Sequence, residues 1–459
     1  MNIAARISRS MGFKAMLIGV LILVMLVPAA PVRQVVRERS VRADEVEWEI
    51  LDSWGGELQF AGPVLRIPCS RLEELRLKDD KGRETTEYRQ SPFDLWVSPA
   101  ALELRMGMNS MRKSRGIFSV PVFSGILEMS GAFDVSEALA SLSRNETAWP
   151  ADAELVVSIA NQKGLRSMEQ ARWGDSPLDF KPGDAGLDLL RGGIHAPAAI
   201  APGTRTAFDL KMSVQGGRRI WMLPLGESTR ATVAADWPAP SYKGEHLPGT
   251  QSLDGNGFEA GWDISYLSRG IPLSWIGSEA VNDKLAGNFF GVDFFEVLDR
   301  YTLNDRATKY AILFIVVPFL ALFMLELFTR RMLHPIQYLL AGVANMVFYL
   351  LLLSLSEHIP FGAAYLISAA AVGLMVFLYS WSIFKDVKKA WYMGPVMGGS
   401  YLYLFMTLQS EDWALLIGAL GAFAVTGLVM FITRNVDWYG RDRLRTPAPA
   451  DAHDDGEGL

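Results

Sequence analysis

Cysteine is almost absent from this chain of 459 residues, because Cys69 is the only one. One thiol cannot form an intramolecular disulfide, and a zinc knuckle needs several cysteines from the same chain. Histidine is scarce too, with five residues in the whole sequence. The sequence therefore excludes an internal disulfide framework and a cysteine-based metal site.

Motifs that identify the large enzyme classes are also missing. The chain has no G-x-S-x-G nucleophile elbow, no P-loop, no H-E-x-x-H zinc motif and no dinucleotide-binding glycine pattern. We therefore expect no cofactor. The sequence favours a protein that is not an enzyme, although it leaves an enzyme of another kind open.

Excess positive charge is lacking as well. Lys and Arg total 44 against 50 Asp and Glu, which gives a formal net charge of −6. Proteins that bind nucleic acids carry basic patches or tails. The last nine residues of this chain instead hold four acids and no Lys or Arg, so we expect no nucleic-acid partner.

Apolar residues, by contrast, are abundant and make up 50% of the chain. A helix needs about 20 mostly apolar residues to cross the hydrocarbon core of a lipid bilayer. One segment near the N-terminus and five near the C-terminus meet this requirement, which predicts six membrane spans. The predicted spans are residues 14–30, 310–328, 336–355, 361–384, 391–408 and 413–432.

The first of these segments has two interpretations. It follows Arg6 and Arg9 and ends in the small residues Ala29 and Ala30, a pattern that is typical of a cleaved signal peptide. Pro31 stands directly after Ala30 and disfavours cleavage at that point. We therefore expect an uncleaved N-terminal transmembrane anchor.

The orientation is predicted from the excess of Lys and Arg that cytoplasmic connections carry. Six spans place both termini on one side, and the basic connections between the later spans fall on that same side, at residues 330–331, 385–389 and 434–445. The opposite connections, Glu357–His358 and Glu411–Asp412, contain no Lys or Arg. Both termini are therefore predicted to be cytoplasmic, with the large segment between the first two spans outside the cytoplasm.

That large segment, residues 32–306, shows the alternation of half-buried strands. Phe208, Leu210, Met212 and Val214 alternate with polar residues, and the same period of two runs through residues 258–266. Clusters of Pro and Gly separate such stretches. We predict an antiparallel, sandwich-like β domain.

Three stretches depart from this pattern. Residues 32–54 are dense in Arg and Glu and predict a helical stalk that extends the first span. Residues 166–206 are rich in Gly, Pro and Asp and predict a long irregular insertion, and the tail after Thr446 has a disordered composition. The expected organisation is an anchor over 1–31, a β-rich domain with its stalk over 32–306, a bundle of five transmembrane helices over 307–439 and a disordered cytoplasmic tail over 440–459.

Four polar residues at the non-cytoplasmic connections form the candidate functional cluster. Glu357 and His358 separate the third and fourth spans, and Glu411 and Asp412 separate the fifth and sixth, so both pairs are expected at one membrane depth. Converging carboxylates and an imidazole can bind a divalent cation or pass protons. The alternative is that short loops between spans have to be polar, and from the residues alone this simpler explanation is favoured.

Ionisable residues are nearly missing inside the spans. Glu326 is the only acid within an apolar run, and we expect it to pair with Arg330 four residues later, near the cytoplasmic end. Asn345 is more central and is expected to face another helix. A transporter that moves ions normally needs more buried polar groups than these.

Several segments resemble one protein family. In the predicted membrane region they are DRATKYAILFIVVPF (305–319), YLLLLSLSEHIP (349–360), LQSEDWALLIG (408–418) and TRNVDWY (433–439). In the β domain they are RGIFSVPVFSGILEMSGAFD (115–134), WPAPSYKG (237–244) and GFEAGWDISYLSRGIP (257–272). The chain thus resembles the CreD family of bacterial inner-membrane proteins, which are described as cell envelope integrity proteins.

The resemblance implies a multi-pass protein of the bacterial inner membrane with a periplasmic β domain. The family is linked to an envelope-stress regulon under two-component control and to β-lactam responses. It has no agreed biochemical activity and supplies no catalytic residues to carry over. Its recurrent SEH and SEDW segments match residues 356–358 and 410–413 here, which strengthens interest in the candidate cluster.

Two main functional hypotheses follow. In the first, the protein supports envelope integrity or the envelope-stress response, and its β domain binds an envelope protein, a lipid or a cell-wall component. In the second, the membrane bundle is an enzyme or a small carrier that uses Glu357, His358, Glu411 and Asp412. A sensor that modulates a signalling partner is a third possibility, disfavoured because the cytoplasmic connections are short.

Overall fold

The computed structural model of the protein describes residues 11–78, 84–183, 185–187, 189–190, 192–277, 279–294, 300–329, 332–410 and 413–434. The chain divides into two compact units. One unit, the helical unit, comprises Met1–Arg42 and Leu298–Leu459, and the other, the β-rich unit, comprises Ala43–Val297.

The first helix is unusually long. Helix α1 runs over Met11–Ser53, 43 residues, and includes Pro28 and Pro31. It continues through residues 32–53, where a helical stalk was predicted. The helix ends where Gly56 N donates to Leu51 O at 2.7 Å, with Gly56 in the left-handed conformation (φ 71°) that commonly ends helices.

The β-rich unit consists mainly of strands. In chain order they are β1 (Leu58–Lys78), β2 (Glu84–Val97), β3 (Ala101–Arg115), β4 (Phe118–Asp134), β5 (Glu146–Ala148), β6 (Glu154–Ile159), β7 (Leu165–Trp173), β8 (Ser176–Pro177), β9 (Lys181–Pro182), β10 (Gly192–Pro197), β11 (Arg205–Gly217), β12 (Arg219–Met222), β13 (Ser228–Ala235), β14 (Pro240–Gly244), β15 (Thr250–Leu253), β16 (Phe258–Ser265), β17 (Ser274–Ile276) and β18 (Phe290–Phe294). Three short helices accompany them, α2 (Ser136–Ala140), α3 (Tyr266–Arg269) and α4 (Glu279–Ala286).

These strands form two sheets. The ten-stranded sheet has the order β14-β18-β12-β1-β6-β10-β9, with β2 and β5 also paired to β1 and β17 paired to β2. The eight-stranded sheet has the order β15-β16-β13-β3-β4-β11-β7-β8. Most neighbours are antiparallel, as predicted, but β1 with β12 and β3 with β13 are parallel.

One hydrophobic core lies between the two sheets. Phe208, Leu210 and Met212 are buried in it, as their alternation predicts. Phe123 of the eight-stranded sheet contacts Phe294 of the ten-stranded sheet, with ring centroids 5.0 Å apart. Two sheets that share a core in this way form the expected sandwich-like arrangement.

The predicted irregular insertion over residues 166–206 is wrong. This stretch contributes most of β7 and all of β8, β9 and β10. Strand β7 pairs with β11 over Leu165–Trp173, although most of its side chains are exposed or half-buried. Because half-exposed strands carry little apolar alternation, the Gly and Pro residues at their turns dominated the sequence pattern.

A second, smaller core covers the other face of the ten-stranded sheet. It contains Trp96 of β2, Trp275 of β17, and Val281 and Leu285 of α4. The spacing of four residues between Val281 and Leu285 places both side chains on one face of α4. This core fixes the segment after β16 against the sheet.

The helical unit contains the first part of α1 and seven further helices among its described residues. They are α5 (Arg300–Lys309), α6 (Ala311–Thr329), α7 (Pro335–Ser356), α8 (Phe361–Phe384), α9 (Val387–Trp391), α10 (Met393–Gln409) and α11 (Ala414–Thr433). Ile18, Leu21 and Met25 of α1 share one apolar core with side chains of α5 to α8 and α10.

Helices occupy all six positions where spans were predicted. Within the described residues, three are long and apolar enough to cross a membrane: Met16–Ser53, Pro335–Ser356 and Phe361–Phe384. A fourth span results if Arg300–Lys309 and Phe314–Leu327, which are bent by 46°, count as one. Leu416–Phe431 is a shorter apolar helix.

Candidate functional site

The structure describes half of the predicted functional cluster. Glu357 and His358 directly follow α7, whereas Glu411 and Asp412 lie outside the described residues. Whether the two pairs meet therefore stays a prediction. Among the described residues, no group of three His, Cys, Asp or Glu side chains could hold a metal ion.

The end of α7 is held by polar side chains from α5. Arg300 Nη1 donates to Ser356 O at 3.3 Å and to Glu357 O at 3.1 Å. Asn304 Nδ2 donates to Ser356 Oγ at 2.9 Å, and this hydroxyl donates in turn to Leu353 O at 2.9 Å. The last carbonyls of a helix have no partner within it, so a guanidinium at this point both satisfies them and complements the helix dipole.

The carboxylate of Glu357 occupies an unfavourable position. Its side chain is only 9% exposed, and it stands at the C-terminal end of a helix, where the dipole disfavours negative charge. Its nearest cation is Arg39 of α1, at 3.9 Å between Nε and Oε1, and Oε1 has no hydrogen-bond partner in the described part of the chain. A carboxylate with one unpaired oxygen can accept a hydrogen bond from a ligand.

His358 lies in a different environment from its neighbour. Its ring is exposed, and Nδ1 lies 3.0 Å from Ser354 O of the preceding turn. The side chain of Glu357 lies near Arg39 instead. The geometry therefore gives Glu357 and His358 separate surroundings rather than a shared pair.

A second polar cluster, which the sequence did not predict, surrounds Glu326 in the helical unit. Glu326 is buried and accepts a 2.8 Å hydrogen bond from Tyr338 Oη of α7. Its other oxygen is in contact with Lys14 Nζ of α1. The predicted partner Arg330 lies outside the described residues. The signal in the sequence was an isolated acid in an apolar run, but Lys14 is more than 300 residues away and Tyr338 lies in the next helix.

A third polar group lies in the middle of the helical core. Tyr401 Oη donates to Asn345 Oδ1 at 3.0 Å, and Tyr365 Oη donates to Tyr401 O at 2.6 Å. Asn345 therefore faces another helix, as predicted. Hydrogen bonds of this type connect helices within a membrane, so α7, α8 and α10 are tied together here.

The β-rich unit carries an open depression on the eight-stranded sheet, on the face away from the shared core. Leu104 and Met106 of β3 point into the core, so Glu103, Arg105 and Gly107 face outward. The depression has two adjoining parts, of about 770 Å³ and about 550 Å³. They share Gly107 and Glu259, and the larger part is lined by Glu103, Arg105, Met106, Gly107, Ile126, Glu128, Lys211, Arg230, Thr232 and Glu259.

Charges of both signs line this depression. Arg105 donates to Glu103 at 2.7 Å from Nη2, and Lys211 Nζ lies 3.0 Å from Glu128 Oε1. The hydrogen bond to Glu128 raises the pKa of Lys211, which keeps this ammonium charged. Gly107 has open space where a side chain would begin. The surface offers hydrogen-bond donors and acceptors over a wide area, as a site for a polar ligand does.

Comparison with known families covers nearly the whole chain. The family described as "Inner membrane protein CreD" matches residues 10–439. The curated protein "Inner membrane protein CreD" of Escherichia coli (strain K12) is 30% identical over 444 residues, which is 95% of this chain and 95% of that protein.

Two solved structures show a weak likeness. An M1 zinc metallopeptidase from Deinococcus radiodurans is 10% identical and has a TM-score of 0.20, covering 36% of this chain and 38% of that chain. A putative protease from Parabacteroides distasonis is 9% identical and has a TM-score of 0.24, covering 65% and 59%. At these scores neither comparison says anything about fold or activity.

Proposed function

The chain belongs to the CreD family of inner membrane proteins, and from this premise we propose that it supports the integrity or the stress response of the cell envelope by binding an envelope component through its β-rich unit. In this proposal six helices span the inner membrane, both termini are cytoplasmic and the β-rich unit is periplasmic. The partner is an envelope protein, a lipid headgroup or a cell-wall component.

The depression on the eight-stranded sheet supports this proposal most directly. Its volume is in the range of sites that bind small molecules, and its lining includes charged side chains of both signs beside apolar ones. Peptides and glycans offer matching hydrogen-bond groups. A surface of this kind fits a binding role, whereas the described residues contain no recognisable catalytic arrangement.

Filling the depression tests the proposal. Gly107→Trp places a large side chain in open space on the floor of the depression, so the fold should be retained while binding is blocked. We expect this variant, at normal abundance, to fail to restore envelope-stress tolerance to a strain that lacks the protein. Gly107→Ala should restore it fully.

Gln90→Trp is the matched control, because Gln90 is an exposed strand residue of β2 outside the depression. It should restore tolerance as the natural chain does. If Gly107→Trp restores tolerance as well, the depression is not the binding surface.

The proposed topology has its own test. Cys69 is buried, so a new cysteine at Gln90 is the accessible thiol of the β-rich unit. A membrane-impermeant maleimide added to intact spheroplasts should label Gln90→Cys and leave the natural chain unlabelled. Labelling of Gln90→Cys only after membrane disruption would place the unit in the cytoplasm.

The environment of Glu357 supports a second candidate function. Its buried carboxylate with an unpaired oxygen suits a membrane-embedded enzyme or a small carrier that uses Glu357, His358, Glu411 and Asp412. Replacing His358 and Glu411 by Ala should then abolish envelope-stress tolerance without lowering abundance. Unchanged tolerance would remove this candidate.

A further inference from the structure

A buried arginine in the β-rich unit lacks an acidic partner among the described residues. Arg269 ends α3 and is 4% exposed. Its Nη1 donates to Pro224 O, but Nε and Nη2 bond to no protein group in the part of the chain that is described. Burial lowers the pKa of this guanidinium to about 10. A buried cation without a counter-charge is among the costliest arrangements in a protein.

The two unpaired nitrogens of Arg269, Nε and Nη2, lie on the same edge of the guanidinium. Nε–H and one Nη2–H point in parallel along one edge of the planar guanidinium, and this edge matches the two oxygens of a carboxylate or a phosphate. The bond from Nη1 to Pro224 O holds the plane of the group. A fork that is fixed in this way is preorganised for an oxyanion.

Two more unpaired donors belong to the same region. Trp275 Nε1 and Ser98 Oγ are buried and have no partner among the described residues. Trp275 pairs with Trp96 across β17 and β2, and Ser98 is two residues beyond Trp96, which places its side chain on the same face. That face carries the smaller core, which also contains the residues on both sides of Pro224.

We propose that Arg269, together with Trp275 and Ser98, forms a binding site for an oxyanion, a carboxylate or phosphate group of a ligand. Leu267 of α3, two residues before Arg269, is 78% exposed, so α3 lies at the surface of the β-rich unit. The site is separate from the depression on the eight-stranded sheet. The proposal therefore does not depend on whether that depression binds a partner.

Titration of the purified full-length protein in detergent tests the site. Sodium phosphate and sodium acetate are added separately at millimolar concentration, with sodium chloride keeping the ionic strength constant, and thermal unfolding is followed. We expect a saturable rise of the unfolding temperature. A rise with phosphate alone identifies a phosphate site, and a rise with acetate identifies a carboxylate site.

Substitutions of Arg269 test whether its Nε and Nη2 atoms bind the anion. Arg269→Lys keeps the charge but loses the parallel donors, so the apparent Kd should rise about tenfold or more, as expected for the loss of a hydrogen bond to a charged group. Arg269→Gln should abolish the response. Arg89→Gln, which removes an exposed charge from β2, should leave it unchanged.

One further variant covers the case in which Arg269→Gln does not fold. Trp275→Phe removes a single N–H and keeps the aromatic ring, and it should raise the apparent Kd by about threefold to tenfold, the range for one hydrogen bond. If neither anion raises the unfolding temperature more than chloride does, the proposal is wrong. It is also wrong if Arg269→Lys and Trp275→Phe respond as the natural chain does, since that result indicates a general salt effect.

Discussion

The hydroxyl of Tyr338 donates a 2.8 Å hydrogen bond to the carboxylate of Glu326, and Lys14 contacts the other oxygen of that carboxylate. The three side chains come from α7, α6 and α1. Because Glu326 is buried among apolar residues, this contact is a charged connection between the first helix and the consecutive helices α6 and α7.

We predict that Glu326→Ala lowers the free energy of unfolding of the helical unit by about 3 kcal/mol or more, because it leaves the ammonium of Lys14 without its partner. Tyr338→Phe should cost about 1 kcal/mol, the value of one hydrogen bond. Unfolding of the purified protein in detergent with added SDS measures both. The double variant Lys14→Met with Glu326→Leu should recover most of the loss. A double variant as unstable as Glu326→Ala would show that the charge pair is not the cause.

Substitution by alanine is predicted to affect stability differently at two glycines of α11. A Cβ at Gly421 would overlap the ring and hydroxyl of Tyr403, and this hydroxyl donates to Ile417 O at 2.6 Å. Gly421→Ala should therefore cost about 1–3 kcal/mol, as overpacking does. Gly418 has open space at the same point, so Gly418→Ala should be neutral or slightly stabilising. Thermal unfolding in detergent compares them, and equal effects would contradict the packing described here.

Cys69 makes the stability of the β-rich unit depend on pH. Burial raises the pKa of its thiol from 9.0 to about 11. As pH rises, the thiol ionises in the unfolded chain before it ionises in the folded chain. The buried neutral thiol therefore makes its full contribution to the free energy of unfolding below pH 9. Between pH 9 and 11 this contribution falls by up to about 3 kcal/mol.

Denaturant unfolding at pH 8 and pH 10.5 checks this prediction. Other groups titrate in the same range, so the test is the difference between the natural chain and Cys69→Ala, which should lose less stability between the two pH values. At pH 8 a thiol reagent should modify Cys69 only as fast as the protein unfolds. Fast modification of the folded chain would contradict the burial of Cys69.

Glu357 and Arg300 are predicted to differ in what they contribute to stability. Arg300→Gln removes a charged donor from two carbonyls at the end of α7 and should cost about 1–2 kcal/mol. Glu357→Gln removes negative charge from a helix C-terminus and should cost nothing or stabilise by up to about 1 kcal/mol. Thermal unfolding measures both, and exposed His358→Gln serves as the neutral control.

The same Glu357→Gln variant bears on function. If it is stable but no longer restores envelope-stress tolerance, the carboxylate is used for function at the expense of stability. If tolerance is retained, the second candidate function loses its main support.

The strands were predictable where one face is buried and the other is polar. Phe208, Leu210, Met212 and Val214 alternate strictly, so their strand and their core face follow from the sequence. The sheet order does not follow, because the parallel pairing of β3 with β13 joins residues more than a hundred positions apart. Half-exposed β7 has too few buried side chains to produce a clear pattern.

Charged contacts were less predictable than strands. The isolated position of Glu326 was visible in the sequence, but its partners Lys14 and Tyr338 are set by the packing of three helices. The unpaired fork of Arg269 was not visible at all, since it depends on which groups are absent from its surroundings after folding. Sequence patterns report burial, whereas the satisfaction of single polar atoms is a property of the folded structure.

The packing of α1 has a consequence for how the protein is made. Ile18, Leu21 and Met25 share a core with Leu303 and Phe319, which the ribosome adds about 300 residues later, after about 15–60 s of synthesis. During this interval the first helix has to remain in the bilayer with its packing face covered by lipid or by the insertion machinery. A chain that ends within the β-rich unit therefore has a first helix without the helices that share its core.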